Sequence, residues 1–199
     1  MNVWLPEGDT LIPGSTVTVF GTQISTTTDA SGGFTLENVP HGEVFFTTMA
    51  NGHWGFADSY YVPQQTVDPI VLMLLPDDYI NARANELQRT FSGADAMLEI
   101  QFYQGAEGGE TGTISAPSDA PFAITLDGQP LEQAGVIVNG DGSGPLIFSS
   151  VKTDEGPISV EVTGVLGVTT CVVDETPGTT YPMIAKTITI ADAYCEPAP

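Results

Sequence analysis

The chain has 199 residues, of which 41% are hydrophobic, and it is therefore long enough to form one or two domains with packed cores. Four Lys and Arg residues stand against twenty-five Asp and Glu residues, which gives a formal net charge of −21. This charge repels phosphate backbones and anionic lipid headgroups, so we expect neither a nucleic-acid partner nor direct membrane insertion. The apolar run at 70–76 is only as long as a strand.

Short segments of alternating apolar and polar residues predict half-buried strands in the first third of the chain. They lie at 17–20, 34–36 and 44–48, between turn-forming residues. The run at 70–76 is apolar on both faces, which predicts a deeply buried strand that closes the first unit. We therefore predict a first β-sandwich domain over residues 1–76.

Residues 77–93 have the pattern of a short helix that links two β-rich parts. Asp77 and Asp78 follow a proline and favour the first turn of a helix, and Gly93 favours its end. Apolar residues recur on one face, at Ile80, Ala84, Leu87 and Phe91. The helix also carries both arginines of the chain, Arg83 and Arg89, and we expect its polar side to lie near an acidic surface.

From residue 94 onward the period of two returns, with turn residues between the segments. The predicted strands lie near residues 97–103, 121–128, 135–140, 145–151, 157–164, 169–173 and 186–195. A polar, glycine-rich segment at 103–121 is predicted to be a long loop. We therefore predict a second, divergent β-sandwich over residues 94–199. The predicted fold class is all-β, with two Ig-like β-sandwich domains joined by a short α-helix.

The two cysteines, Cys171 and Cys195, have no C-x-x-C spacing and no nearby histidine, so they do not indicate a zinc site. A disulfide is the simplest interpretation, and two buried free thiols are the alternative. A disulfide over this loop would contribute about 3 kcal/mol to stability and would persist only in an oxidising compartment. We expect an exported protein, extracellular, at the cell surface or in the periplasm, with its signal outside this chain.

Residues 29–46 and 141–162 share a pattern that predicts a tandem repeat. Both begin Asp-x-Ser-Gly, continue with two apolar positions, and then reach a valine, a short turn and a glycine. Asp29 and Asp141 can accept hydrogen bonds from backbone amides two or three residues later, while Gly32 and Gly144 can adopt a positive φ at a tight turn.

On these residues the chain resembles the carboxypeptidase regulatory-like domain, a transthyretin-like seven-stranded sandwich. The features are an early "VTV" strand, a Thr-Asp-x-x-Gly-x-Phe turn at 28–34, a Val-Pro-x-Gly corner at 39–42 and an aromatic residue after "NGHWG", with a looser match in the second copy. The resemblance covers roughly residues 10–75. It implies a non-catalytic accessory or surface module of a secreted bacterial protein.

Enzyme chemistry has few candidate groups because the chain has only two histidines. His41, His53, Tyr60 and Tyr61 supply the residue types of an iron site, but the histidines are twelve residues apart rather than two, and no Gly-x-Ser-x-Gly elbow is present. Calcium is an alternative in the acidic loops, at Asp29 and Ser31, Asp77 and Asp78, Asp141 and Ser143, or Asp154 and Glu155. Capping of turns explains Asp29 and Asp141 without an ion.

The segment 51–63 gathers aromatic residues around glycines, and Trp54, Tyr60 and Tyr61 are candidates for binding a glycan or a peptide. In the alternative interpretation, which we favour, Trp54 and Phe56 cap the sandwich while Tyr60 and Tyr61 alternate in and out of a strand. We predict a non-catalytic structural or adhesive surface module without a cofactor. The alternatives are a glycan- or peptide-binding module and, more remotely, a metal-dependent enzyme. Sheet edges could also support self-assembly by strand addition.

Overall fold

The computed structural model describes residues 10–64, 70–103, 105–106, 108–124, 145–154, 156–174 and 180–199. Strands make up 46% of the structure, and one short helix is present in the described ranges. The predicted all-β class is therefore confirmed.

The strands and the helix are numbered in chain order. The first half contains β1 (Thr16–Val19), β2 (Ser25–Thr27), β3 (Gly42–Met49), β4 (His53–Val62), β5 (Leu75–Pro76) and α1 (Asp77–Glu86). The middle of the chain contains β6 (Ala96–Tyr103), β7 (Thr111–Ile114), β8 (Phe122–Ala123) and β9 (Leu146–Val151). The C-terminal part contains β10 (Ile158–Thr163), β11 (Thr169–Val173), β12 (Thr180–Tyr181) and β13 (Thr187–Pro197).

Most strands belong to one open sheet with the order β2-β1-β3-β4-β13-β6-β9-β8, to which β5 and β11 add through β4 and β13. Neighbours in this sheet are antiparallel except at β13, which runs parallel to both β4 and β6. Three further strands form a small sheet with the order β12-β10-β7. The small sheet packs on one face of the main sheet, and α1 packs on the other.

Strand β13 connects the two halves of the chain in one sheet. It pairs with β4 from Thr187 to Thr189 and with β6 from Ile188 to Tyr194. Strands from both sides of the predicted helical linker are therefore hydrogen-bonded neighbours of the same strand. The structure does not confirm a two-domain Ig-like arrangement, and boundaries at 76 and 93 stay predictions.

Three apolar clusters form the core because side chains alternate between the faces of the main sheet. The first fills the space between the two sheets and includes Leu98, Ile100, Phe148, Ile158 and Tyr181. The second lies under the helix and includes Trp54, Ile80, Met97, Ile147 and Ile188. The third, on the same face as the second, lies between β1 and β3 and includes Val17, Val19, Val44 and Phe46.

The helix is shorter than the predicted 77–93 because a Schellman motif ends it. The backbone N–H of Gln88 donates to Asn85 O at 3.1 Å, and that of Arg89 donates to Ala84 O at 2.8 Å. Gln88 adopts φ 53° and thus occupies the left-handed position that glycine usually takes in this motif. Since no glycine marks this position in the sequence, the sequence pattern predicts a helix end that lies later than the observed one.

Three other predicted segments also differ from the structure. In the run 70–76, only Leu75 and Pro76 lie in a strand, and Val71 is 81% exposed. Phe34 and Leu36 lie outside strands, although both pack against the third cluster. The predicted loop 103–121 contains β7 and buried side chains, so it is part of the fold. In each case tertiary packing, rather than the local pattern, decides the conformation.

The predicted repeat receives no support from secondary structure. Gly42 and Gly156 both have a positive φ, as their matched positions suggest. However, Leu146 and Phe148 lie within β9, whereas the matching residues Phe34 and Leu36 lie outside strands. Residues 141–144, and the segments 125–128 and 135–140, lie outside the described residues. The tandem repeat stays a prediction.

Candidate functional site

The aromatic segment does not form an exposed platform. Trp54 is 4% exposed and Phe56 is 3% exposed, and both pack in the cluster under the helix. Tyr60 is half-buried against Phe46 and donates its hydroxyl hydrogen to Val71 O at 3.1 Å. Tyr61 is 66% exposed. The tyrosines alternate as the favoured interpretation predicts. Trp54 is buried, but it packs in the cluster under the helix, whereas that interpretation places it as a cap on the end of the sandwich.

The two histidines lie at opposite ends of the β3–β4 pair. His53 is the first residue of β4. His41 directly precedes β3, at the other end of the pair, where its Nδ1 lies 3.1 Å from Pro63 O. Tyr60 and Tyr61 are seven and eight positions beyond His53 along an extended strand, which is about 23 Å or more. The structure therefore does not bring these four residues together as an iron site.

The turn at Asp29 uses its carboxylate internally. Asp29 Oδ1 accepts hydrogen bonds from the backbone N–H groups of Ser31 and Gly33 at 2.7 and 3.0 Å, and from the Ser31 hydroxyl at 2.6 Å. These bonds lower the pKa of the Asp29 carboxyl. Gly32 has φ 74°, as predicted. The contacts explain Asp29 as a turn-forming residue, while Asp141, Ser143 and Glu155 lie outside the described residues.

Cys171 and Cys195 form the predicted disulfide, which joins paired residues of β11 and β13. The fully buried Glu110 lies beside it and accepts hydrogen bonds from Gly108 N–H at 2.9 Å and Thr169 Oγ1 at 3.1 Å. Disulfide sulfurs are not thiolates, so these three residues do not form a metal site. The disulfide indicates an oxidising, non-cytoplasmic compartment. Within the described ranges, no helix has the length and apolar character that crossing a bilayer requires.

We call one group of polar side chains on the main sheet the acidic seam. It lies on the same face as the cluster under the helix, farther along the strands. Successive same-face positions change from apolar to polar on the three parallel strands β4, β13 and β6. The seam consists of Asp58, Asp192, Tyr194, Glu99, Gln101 and Tyr103. Glu99 is 1% exposed and accepts a hydrogen bond from Gln101 Nε2 at 2.7 Å, while the rings of Tyr103 and Tyr194 stack at 5.6 Å.

Asp192 lies at the point where β13 leaves β4 and begins to pair with β11. Its Oδ1 atom is buried and has no hydrogen-bond partner among the described residues. Burial and the negative charges of Asp58 and Asp174 raise the pKa of the Asp192 carboxyl to about 6. Burial also raises the pKa values of Asp58 and Tyr103. The seam therefore holds negative charge in a partly desolvated place.

Each Lys and Arg side chain has a partner outside the seam. The chain has four Lys and Arg residues, all in the described part. Lys152 pairs with Asp95 and Lys186 with Asp77, each at 2.8 Å, and Arg83 pairs with Glu86. The Arg89 guanidinium lies 3.9 Å from the centroid of the Phe122 ring and donates to Ala120 O at 3.3 Å. Arg89 thus lies against an aromatic ring, and the carboxylate of Asp119 is also close enough to interact with its charge.

A groove of about 380 Å³, which we call the edge groove, opens between β10 and β11. Its floor contains Tyr181, Cys171 and Val160, each at most 9% exposed. Glu161 and Asp174 are exposed at its sides. The backbone N–H of Asp174 donates to Asp192 O at 2.8 Å, so the groove ends next to the acidic seam.

Neither the seam nor the groove is among the sites that the sequence predicts. A signal for the seam was present, because "ITIADAY" places Asp192 on the same face as Ile188 and Ile190, and "WGFADSYY" places Asp58 on the same face as Phe56. A carboxylate at an inward position of a strand is unusual and could have been singled out. The groove had no such signal, since it depends on two strands from different sheets meeting at their edges.

Comparisons with known proteins give no family. No protein-family model matches the chain, and neither a curated protein nor a solved structure matches it significantly. The resemblance to the carboxypeptidase regulatory-like domain stays a prediction.

Proposed function

We propose that this chain is a non-catalytic structural or adhesive module outside the cytoplasm, at a cell surface, and that it resists tension applied between its two ends. The pairing of β13 carries the proposal. This strand is hydrogen-bonded to β4 through three residue pairs and to β6 through seven, and the disulfide joins its far end to β11.

Strand directions support a load-bearing role. Strand β1 is antiparallel to β3, β3 is antiparallel to β4, and β4 is parallel to β13. It follows that β1 and β13 run in the same direction. Thr16 at the start of β1 and Pro197 at the end of β13 therefore lie at opposite ends of the sheet. Tension between them acts along the strands and loads the hydrogen bonds across each pair together, because these bonds are perpendicular to the strands.

The disulfide limits how far the chain can extend under load. Cys171 and Cys195 are 24 positions apart, so the bond removes about 80 Å of extensible chain. The tension that enters at the C-terminal end of β13 passes through both strands of the β11–β13 pair. The charge of −21 favours solubility, which suits a module that is exposed to water outside the cytoplasm.

Single-molecule pulling tests the proposal. We expect a higher rupture force when the chain is held at its two ends than when it is held at its N-terminal end and at residue 51, through Asn51→Cys. Residue 51 follows Met49, which pairs with Thr16, so the second geometry opens β1 from β3 one pair at a time. The β1–β3 contact is the same in both geometries. Equal rupture forces would contradict a load-bearing arrangement.

The alternative of a glycan-binding module has less support because Tyr61 alone of the three predicted aromatic residues is largely exposed. A glycan array tests it, and a positive signal that Tyr61→Ala removes would favour that function over a structural one. The remote alternative of a metal-dependent enzyme draws no support from the described residues, since their only group with ligand-like spacing contains the disulfide.

A further inference from the structure

We propose that the edge groove binds an extended, basic segment of a partner protein, which adds a strand to the free edge of β11. This interaction goes beyond the structural role proposed above and does not depend on it.

The hydrogen-bonding pattern leaves an edge of β11 open. Among the described residues, β11 pairs with β13 alone. The backbone N–H of Asp174 donates to Asp192 O and that of Ala198 to Val168 O, each at 2.8 Å. Bonded pairs alternate in an antiparallel ladder, so even-numbered residues of β11 bond to β13. The N–H and C=O groups of Cys171 and Val173 therefore point away from β13, where an added strand can bond to them.

The facing strand β10 is also incompletely paired. Ser115 N–H donates to Ser159 O at 3.1 Å, which sets the alternation along the β7–β10 pair. The backbone groups of Val160 and Val162 consequently point away from β7. Among the described residues, β12 pairs on that side with only Ile158 and Ser159. Within the described part of the chain, the groove thus has two strand edges whose outward backbone groups have no strand partner, with an apolar floor between them.

Exposed apolar side chains lie along the turn and the edge strand beside this groove. Leu166 is 100% exposed, Val168 46% and Val172 61%. These three residues lie within one seven-residue segment, which forms the turn and the edge strand beside the groove. Elsewhere in the described part, exposed large apolar residues lie singly or farther apart along the chain. Clustered exposed apolar residues next to an open strand edge are typical of an interaction surface.

Charge identifies the chemistry of the partner. Glu161 and Asp174 lie at the sides of the groove, and neither forms an ion pair within the described residues, where all four Lys and Arg side chains contact other groups. A second copy of the chain brings a further charge of −21 and is repelled. An extended segment with Lys or Arg on one face and small apolar residues on the other complements both the carboxylates and the floor.

A synthetic peptide of about eight residues, in which Lys and Val alternate, is the probe. We expect its binding, measured by fluorescence anisotropy, to weaken at least tenfold in the double variant Glu161→Gln, Asp174→Asn. The matched control is Glu37→Gln, Glu43→Gln, which changes the net charge equally at exposed positions outside the groove. We expect control binding within twofold of the unmodified chain. A peptide with Glu in place of Lys is expected not to bind.

Amide NMR spectra of the full chain identify the contact itself. Strand addition should slow hydrogen exchange at Cys171 and Val173 when the Lys–Val peptide is present. Three results would overturn the proposal: no saturable binding up to about 1 mM peptide, equal loss in both double variants, or perturbed amides outside β10 and β11. Sedimentation that shows self-association through this edge at low salt would replace the basic partner by a second copy and would also overturn it.

Discussion

At the scale of single residues, the ionisation of Asp192 affects the stability of the fold. Its carboxyl loses water on folding and lies near the negative charges of Asp58 on β4 and Asp174 beside β11, while only a hydrogen bond with the Tyr103 side chain on β6 favours its ionised form. The Lys and Arg side chains have other partners. A carboxyl in such a place is more stable protonated than ionised. The fold tolerates this cost because the pairing of β13 with strands on both sides fixes the face of the sheet on which the Asp192 side chain lies.

We predict that the protein is more stable at about pH 5 than at about pH 7.5. The raised pKa of about 6 means that the folded state binds a proton more tightly than the unfolded state does. This stabilisation is complete below the unfolded pKa of about 4 and is lost as the pH rises through about 6. After allowance for its partial exposure to solvent, Asp192 is expected to change the free energy of unfolding by about 1 to 2 kcal/mol between the two pH values.

Chemical denaturation at the two pH values measures this effect. Asp192→Asn should stabilise the protein at about pH 7.5 and reduce the gain at lower pH. The control Glu43→Gln removes an exposed carboxylate and should leave the gain unchanged. If Asp192→Asn destabilised the protein at the higher pH, the carboxylate would be stabilising rather than costly.

At the scale of elements, the close approach of the paired strands β3 and β4 depends on Gly55. A Cβ atom at this position would lie 1.8 Å from Thr48 O, which is far closer than any permitted contact. The Thr48 hydroxyl also donates to Met73 O and accepts from Phe56 N–H, at 2.7 and 3.0 Å. Since the obstruction is backbone, it cannot move without disturbing both strands.

We therefore expect Gly55→Ala to destabilise the fold by about 3 kcal/mol or more. Gly93→Ala is the matched control, because its added Cβ would meet only Lys186 side-chain atoms at 3.7 Å. Thermal unfolding followed by circular dichroism compares the two variants. A melting temperature of Gly55→Ala close to that of Gly93→Ala would show that β3 and β4 do not approach as described.

Individual strands with strict alternation were predictable from the sequence, and their partners were not. The segments "VTV", "VFFTT" and "ITIADAYC" lie in strands because each places one apolar face toward a core. The insertion of β13 between β4 and β6 depends on contacts more than ninety residues apart, for which no local pattern exists. The burial of Trp54 was predictable because large aromatic residues bury well, whereas its position under the helix was not.

At the scale of the molecule, β13 joins strands from both halves of the chain in one sheet, and we predict from this pairing that the chain is one mechanical and thermodynamic unit. The predicted disulfide holds the C-terminal end of β13 against β11. In the chain-entropy model this bond contributes about 3 kcal/mol. The proposed load-bearing role and the open edge of β11 both follow from this arrangement, since β13 fixes β11 at the side of the sandwich.

Denaturant unfolding followed by amide NMR signals of β3 and β9 tests this central claim most directly, because these strands lie on opposite sides of β13 in the sheet. If β13 unites the two halves, signals from both strands will disappear at the same denaturant concentration in one cooperative transition. Separate midpoints, with β3 still folded after β9 has unfolded or the reverse, would contradict the account and favour two independent domains.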